Sequence, residues 1–548
     1  MIERIALIGL SGSGKSAIAP LLADRLGWRP VDTDRMVEER FGLPIPEIFA
    51  RFGESVFRAA EREALLEATA QRHVVIATGG GIVLDERNWV PLRSGTAVVH
   101  LTARIETLAA RLRSQWALDA ASARPLLAGD LEARLHMLWE QRRALYQRAD
   151  IVVETDGRTP EELVEVIAAA VHSRAERGLI PFLALASATG RSDLYVQSGL
   201  LAALGELARH RWPDARRAFV ITDDHVARHW GEPTRRALEA GGFDVSVLRI
   251  PPGETSKILT TVEWLLDQLL GHGIERTDIV VALGGGVIGD LAGFVASIVL
   301  RGVGLVQVPT SLLAMVDASV GGKTGVDHQL GKNLIGTFYQ PHLVVADPTV
   351  LETLPEAERR SGWAEVVKHA MIEYSATCQS VVPPLVELLQ QRRFEDWWHS
   401  TDLDEVIRRN IAIKASVVAQ DERESGLRRI LNYGHTLGHA IEAASAYQLR
   451  HGEAVALGLR AAARIAQQMG LCSEELVALQ DELLDAAGLP RTATLPVEEV
   501  LACLRYDKKV AGGMPTWILP VEPGRVVVRR DVPSQLVREV AAALLTAG

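Results

Sequence analysis

Short apolar runs separated by longer mixed stretches set the rhythm of the first 172 residues. "RIALIGL", "HVVIATGG", "TAVVHL" and "DIVVET" are strand-length, and helix-length segments lie between them. Strands that alternate with helices predict an α/β domain built on a parallel sheet. A helical stretch from Pro160 to about Glu176 closes this region, and "RGLIPFLALASATGRSD" reads as a connection into new strands.

From about residue 180 the rhythm returns in "RAFVITDD", "FDVSVLRIPPGE", "DIVVALGGGVIGD" and "GVGLVQVPTS". These strands run into loops bearing Gly, Asp and Thr, where open parallel sheets bind nucleotides. Beyond about Asp347 the pattern turns helical almost throughout, from "AERRSGWAEVVKHAMIE" to a stretch near residues 473–488. The predicted layout is an α/β domain over 1–175, a second, nucleotide-binding α/β domain over 180–350, and a mainly α-helical domain over 351–548.

At 548 residues the chain exceeds a single core, and its length suggests about three or four domains. Hydrophobic residues at 48% and charged residues at 23% suit a soluble globular enzyme. A formal charge of −10 argues against general binding to nucleic acid or anionic membranes, though not against small anions, whose field local Arg and Lys set. Cys378, Cys472 and Cys503 form no CxxC pair and no disulfide framework, which suits a reducing compartment. "MIERIALIGL" lacks a signal-peptide layout and no charge-free apolar run spans a membrane, so the expected location is the cytoplasm.

Two stretches carry Gly-Lys. "GLSGSGKS" (9–16) follows a strand and opens a helix, the context a P-loop requires. The backbone of Gly12, Ser13 and Gly14 wraps phosphates, Lys15 reaches the outer ones, and Ser16 ligates Mg²⁺. "DASVGGKTGVDHQLGKN" (317–333) contains Gly322-Lys323-Thr324, but Asp317 holds the place of the first P-loop glycine. Its lysines need another explanation.

The acceptor side of the first region is more specific. "VDTDRMVEE" places Asp32 and Asp34 beyond a strand, "FGESVFRAAE" supplies Arg58 and Glu61, and "VIATGGG" supplies Gly79, Gly80 and Gly81. "ARPLL" adds Arg124 and "RRALY" adds Arg142. With these motifs in this order, residues 1–172 resemble shikimate kinase. The resemblance implies ATP with Mg²⁺ on Ser16 and Asp32, shikimate on Asp34, Arg58, Gly80 and Arg142, and Lys15 and Arg124 over the phosphates. The chemistry agrees: arginine clamps a carboxylate bidentately while Asp34 orients the reacting hydroxyl. Glu61 is expected to hold Arg58. "RLRSQWALDAASARPLL" is longer than the family's usual lid approach and leaves Arg111 and Arg113 both open as the neighbour of adenine. Another small-metabolite P-loop kinase, such as a gluconate kinase, is the rival reading, against which "FGESVFRAAE" followed by "TGGG" speaks.

In the second region "ALGGGVIGD" (282–290) gains weight from "PPGETSK" before it and "VPTSLLAMVDASVGGKTGVD" after it. "LNYGHTLGHAIE" puts His435 and His439 on one face of a predicted helix, "LRHGEAVALG" offers His451, and "GWAEVVKHAM" offers Glu365 and Lys368. Two histidines and a carboxylate make a common catalytic zinc set with a place left for substrate. Spacing alone does not choose among His369, His435, His439 and His451.

Residues of about 195–520 resemble 3-dehydroquinate synthase. The resemblance implies Zn²⁺ (or Co²⁺) on Glu365, His435 and His451, with His439 and Lys368 left for acid–base or hydrogen-bonding work. It implies NAD⁺ held by Asp223, Glu254, Lys257, Gly284, Gly285, Gly286, Asp290, Thr310 and Ser311, near Lys323 and Lys332. The implied substrate is 3-deoxy-arabino-heptulosonate 7-phosphate, on Asp317, Lys323, Lys332, Asn333, Lys414, Arg428 and Asn432. Lys508 or Lys509 of "YDKK" joins them, and Arg301 reaches across a homodimer interface. The implied reaction oxidises a ring hydroxyl, eliminates phosphate, re-reduces, opens the ring and closes a carbocycle. A glycerol dehydrogenase-like polyol dehydrogenase has no use for Lys323, Lys332, Asn333 and Arg428; another sugar phosphate cyclase is the nearer rival. A scaffolding role for the first half is opposed by intact Lys15, Ser16, Asp34 and Arg58.

Overall fold

Near-continuous apolar runs build the sheet of the first unit, because helices cover both its faces and leave no side of a central strand to water. The strands are β1 (Arg4–Ile8), β2 (Arg29–Asp32), β3 (Val74–Ala77), β4 (Thr96–Thr102) and β5 (Ile151–Glu154), ordered β2-β3-β1-β4-β5 with parallel pairing throughout. One face packs Ile18 and Leu22 of helix Lys15–Leu26 and Leu163 and Ile167 of helix Pro160–Glu176. The other packs Leu65, Leu108, Leu112 and Leu135. The computed structural model describes residues 2–118, 127, 129–506 and 515–546. Arg124 and Lys508, with Lys509, lie outside the described residues.

The chain divides into two compact units, Met1–Ala186 with Asp193–Tyr195, and Ser187–Ser192 with Val196–Gly548. The division runs through β6 (Leu183–Ser187) and β7 (Gly190–Val196). Buried Arg93 explains why Asp193 and Tyr195 count with the first unit. Its Nη1 donates to Asp150 at 2.6 Å, and its Nη2 donates to Tyr195 at 3.0 Å and Asp193 at 3.4 Å. A buried guanidinium is tolerated only when such partners surround it.

In the second unit β8 (Arg217–Asp223), β9 (Asp244–Ile250), β10 (Ile279–Gly284) and β11 (Gly304–Pro309) are followed by a hairpin. The hairpin strands β12 (Lys323–His328) and β13 (Gly331–Phe338) pair antiparallel, and β14 (Leu343–Ala346) returns to the sheet. The parallel strands run β14-β11-β10-β8-β9. Helices dominate thereafter, notably Glu356–Thr377, Asp402–Gln420, His435–Ala444 and His451–Gln468. The helical reading of this region omitted an antiparallel pair, Trp517–Glu522 with Arg525–Arg529. "WILPVEPGRVVVR" carries β-branched runs around a Pro-Gly turn, and Gly524 has φ 80 there.

Candidate active sites

The first site starts at the turn after β1. Gly12 and Gly14, at φ 84 and 98, let the backbone curl before helix Lys15–Leu26 begins, and Lys15 Nζ donates to the carbonyls of Gly9 at 2.9 Å and Leu10 at 3.0 Å. Arg111 closes the loop from outside, donating to Gly12 O at 3.4 Å and to Thr155 Oγ1 at 2.9 Å and O at 3.0 Å. Arg113 instead donates to Glu132 on the surface. Of the two arginines left open by the sequence, Arg111 is the one that touches the phosphate loop.

Beside the loop, Asp32 caps helix Thr33–Phe41 through the N–H groups of Asp34 and Arg35. Asp34 and Glu61 turn carboxylates toward Gly79, where a Cβ would lie 2.5 and 2.3 Å from their oxygens. Arg58 Nη1 donates to Glu61 at 2.7 Å and lies against Gly81. Burial, with the Asp34 charge nearby, pushes the Glu61 carboxyl up although Arg58 opposes the shift. Arg142 and Tyr146 both donate to Gly80 O, at 2.7 and 3.0 Å. Asp34, Arg58, Gly80 and Arg142 therefore gather at one end of the P-loop sheet. Tyr146 was visible in "RRALY" but carried no assigned role.

The second site is built by close helix approach. A Cβ at Gly452 would lie 1.9 Å from Ser361 O, and one at Gly458 would lie 1.8 Å from Gly434 O. Only glycine lets His451–Gln468 pack this tightly on the segments bearing Glu365 and His435. The donor atoms of Glu365, His435 and His451 consequently lie within 4.8 Å of one another. Nδ1 of His435 faces Tyr433 O at 3.0 Å and Nδ1 of His451 faces Glu442 Oε2 at 3.2 Å. Both partners only accept, so each imidazole carries a proton on Nδ1 and presents Nε2 to Glu365 Oε1, 3.4 Å away. Two imidazole nitrogens converging on fully buried Glu365 make a three-ligand set that fits a divalent cation. His439 stands beside them, its ring centroid 5.1 Å from that of His435 and 6.1 Å from that of His451.

A cluster of charges adjoins this group. Asp317 Oδ1 receives Lys414 Nζ at 2.7 Å and lies 4.0 Å from Lys368 Nζ, while Lys368 also pairs with Glu365. Burial, aided by Arg428 and Lys368, pulls Lys414 down to about 8 against the attraction of Asp317. His369 Nδ1 faces Asn410 Oδ1 at 3.0 Å, and burial keeps its ring neutral, near 3. Glu442 bridges outward: besides His451 it accepts from Lys332 Nζ at 3.2 Å, and Lys332 lies 4.2 Å from the Tyr447 ring centre. Lys323 pairs with Glu424, which also accepts from Asn432 Nδ2 at 2.7 Å. Arg428 donates to Glu422 O and to Gly321 O, the latter at 3.1 Å.

The nucleotide side lies at the end of β10. Gly284, Gly285 and Gly286 lead into helix Gly286–Ile298, Thr310 N donates to Gly284 O at 2.9 Å, and Ser311 flanks Gly285. Lys257 joins Asp290 at 2.7 Å to Asn333 at 2.5 Å, with Glu254 at 3.9 Å. Asp223 caps the turn after β8 through the N–H groups of His225 and Val226. Such a strand, glycine turn and helix N-terminus suits a dinucleotide. Arg301 is exposed, at φ 67 next to Leu300 at φ 49, and no hydrogen bond or ion pair joins it to the cluster among the described residues. The carboxylates Glu422, Glu424 and Glu442 were missed by sequence reasoning, because no motif marks a group whose job is to hold donors from distant segments.

The family model for shikimate kinase matches residues 11–172, and those for the N- and C-terminal parts of 3-dehydroquinate synthase match 247–361 and 362–510. The chain is 46% identical to the 3-dehydroquinate synthase of Symbiobacterium thermophilum over 351 residues, 64% of this chain and 96% of that one. It is 45% identical to that of Rippkaea orientalis, over 62% of this chain and 92% of that one. Among solved structures, 2-deoxy-scyllo-inosose synthase complexed with carbaglucose-6-phosphate, NAD⁺ and Co²⁺ is similar with a TM-score of 0.58 and 28% identity, covering 65% of this chain and 98% of that one. A 2-epi-5-epi-valiolone synthase from Streptomyces hygroscopicus with NAD⁺ and Zn²⁺ bound gives a TM-score of 0.55 and 28% identity, covering 64% and 95%.

Proposed function

The chain belongs to the 3-dehydroquinate synthase family, with a shikimate kinase domain fused ahead of it, and on that premise we propose that it catalyses both reactions. It transfers phosphate from ATP to shikimate, and it cyclises 3-deoxy-arabino-heptulosonate 7-phosphate to 3-dehydroquinate with release of phosphate. The higher identity to 3-dehydroquinate synthases than to the two other cyclases favours this substrate over theirs. The observation that carries the synthase half is the convergence of Glu365, His435 and His451 beside a cluster of lysines and an arginine.

In the kinase half, Gly12, Ser13, Gly14, Lys15 and Ser16 take the ATP phosphates, with Ser16 and Asp32 toward Mg²⁺. Arg58 and Arg142 clamp the shikimate carboxylate, and Asp34 orients the attacking hydroxyl. In the synthase half, Glu365, His435 and His451 would hold a divalent ion that would supply polarisation of the hydroxyl, and Gly284–Gly286, Asp290 and Thr310 would hold NAD⁺, which would supply hydride acceptance and return. Lys323, Arg428 and Lys414 neutralise the phosphate that leaves, and Asn432 and Asn333 orient the hydroxyls. His439, next to the ligands, moves protons at the reacting carbon's oxygen. Arg301 completes the site of a second copy in a homodimer. No helix among the described residues is long and apolar enough to cross a membrane.

The test supplies the full chain with Mg-ATP and shikimate, then with zinc, NAD⁺ and the heptulosonate phosphate. Shikimate 3-phosphate and 3-dehydroquinate with inorganic phosphate are the expected products. Loaded, folded protein that fails with either substrate contradicts the corresponding half.

A further inference from the structure

One loop, residues 421–428, carries Arg428 and pairs with Lys323, two of the three cations of the proposed phosphate site. Asp421 builds it from within, accepting from the N–H groups of Ser425 at 2.8 Å, Gly426 at 2.7 Å and Arg428 at 2.9 Å. Glu424, held at φ 60, faces Lys323 and Asn432. Glu422 faces the other way and is buried. Its carboxylate accepts from Ser187 Oγ at 2.8 Å, Thr189 N at 3.2 Å, Thr189 Oγ1, and Gln340 Nε2 at 2.8 Å, while its carbonyl accepts from Arg428 Nη1. Gln340 in turn wedges the stretch before Lys323: a Cβ on Gly322 would lie 2.8 Å from its amide.

We propose that Glu422 is a positioning residue through which the turn between β6 and β7 sets the spacing of Lys323 and Arg428 for a phosphate monoester. The inference rests on the reading of that pair as the phosphate cradle. Four donors converge on Glu422 from separate segments, and only an ionised carboxylate, which accepts on both oxygens, satisfies them together. An amide in its place puts its own N–H groups against donors. Ser187 and Thr189 precede the segment that the synthase family models match, so the site depends on chain that no synthase motif covers. A shift of an ångström in either cation is enough to weaken a phosphate clamp.

The experiment uses the full chain loaded with zinc and NAD⁺, as parent, Glu422→Gln, the pair Ser187→Ala with Thr189→Val, and Lys323→Ala. The pair leaves Glu422 in place and serves if Glu422→Gln folds poorly. The readouts are KM and kcat for the heptulosonate phosphate, inhibition by inorganic phosphate, zinc content and shikimate phosphorylation. Both positioning variants should raise KM and the phosphate inhibition constant by about tenfold, the factor set by one misplaced charge-assisted hydrogen bond. Zinc content and kinase rate should stay at the parent values. Unchanged KM and phosphate inhibition in the positioning variants, while Lys323→Ala weakens both, overturns the role of Glu422, and so does zinc loss that accompanies the rise in KM. Phosphate inhibition untouched in Lys323→Ala shows instead that the cradle itself was misread.

Discussion

Lys15 and Lys323 each follow a glycine, yet the chain presents them in opposite ways. Lys15 opens a helix, is 8% exposed, and rests on carbonyls of its own loop. Lys323 opens a β-hairpin, has a side chain 55% exposed, and is answered by Glu424 from a distant loop. The first proposed device is local: on that reading backbone N–H groups within residues 9–16 bind the phosphates and the lysine completes the site. The second, as proposed, is assembled by tertiary structure, from Lys323, Arg428 and Lys414 on three elements. The Gly-Lys pair itself specifies no ligand. The backbone around it does.

Removing the metal should separate the two regions most sharply. His435→Ala should lose bound ion and synthase activity together, since one of three protein ligands is gone, while shikimate phosphorylation continues. His439→Ala should keep the ion and lose turnover. Metal content by atomic absorption alongside both rates checks this, and an ion-free His439→Ala with a metal-bearing His435→Ala would exchange the assignment.

Next in size is the local lysine. Lys15→Ala should lower kinase kcat by about 10²–10³, the usual loss for one preorganised group on developing charge. Synthase turnover should not move. Initial-rate assays of both reactions on one preparation decide it, and a parallel fall in synthase activity would deny that the two phosphate devices are separate.

A smaller effect concerns the carboxylate that orients His451. Glu442→Gln should weaken zinc by about 10–100-fold, as loss of an outer hydrogen-bond partner does at other metal sites. Competition with a chelator measures it. Affinity equal to the parent would remove Glu442 from the account of the site.

The smallest expected effect tests the extent of the first region. A boundary at 175 cuts off Asp193 and Tyr195, two of the partners of Arg93. In the full chain, Asp193→Asn should destabilise the kinase unit by about 1–3 kcal/mol, the cost of weakening a buried charged hydrogen bond. Kinase activity should then vanish at lower urea than in the parent, with synthase activity following its own midpoint.

Much of this was legible in the sequence where the determinant is local. The P-loop context, the helix Pro160–Glu176 and the shared face of His435 and His439 follow from spacing and periodicity. The choice of Glu365, His435 and His451 as a set came from family resemblance, since spacing left His369 equally open. In the structure His435 and His451 each bring Nε2 to 3.4 Å from Glu365 Oε1, while His369 turns Nδ1 to Asn410 and Nε2 toward Asp317 at 3.9 Å, in a second group with Asp317 and Glu365. The β12–β13 hairpin escaped notice because its Gly and Lys residues read as a site loop and mask the alternation. Glu422, Glu424 and Asp193 escaped because a carboxylate that holds distant donors is defined by what folds against it, and no pattern along the chain records that.

The direct test of the central claim is calorimetric titration of the full chain with a non-hydrolysable ATP analogue, with NAD⁺ saturating. One site per chain is expected, absent in Lys15→Ala and retained in Lys323→Ala. Two sites, or loss of nucleotide binding from folded Lys323→Ala, would contradict the assignment of the two Gly-Lys stretches to different phosphates.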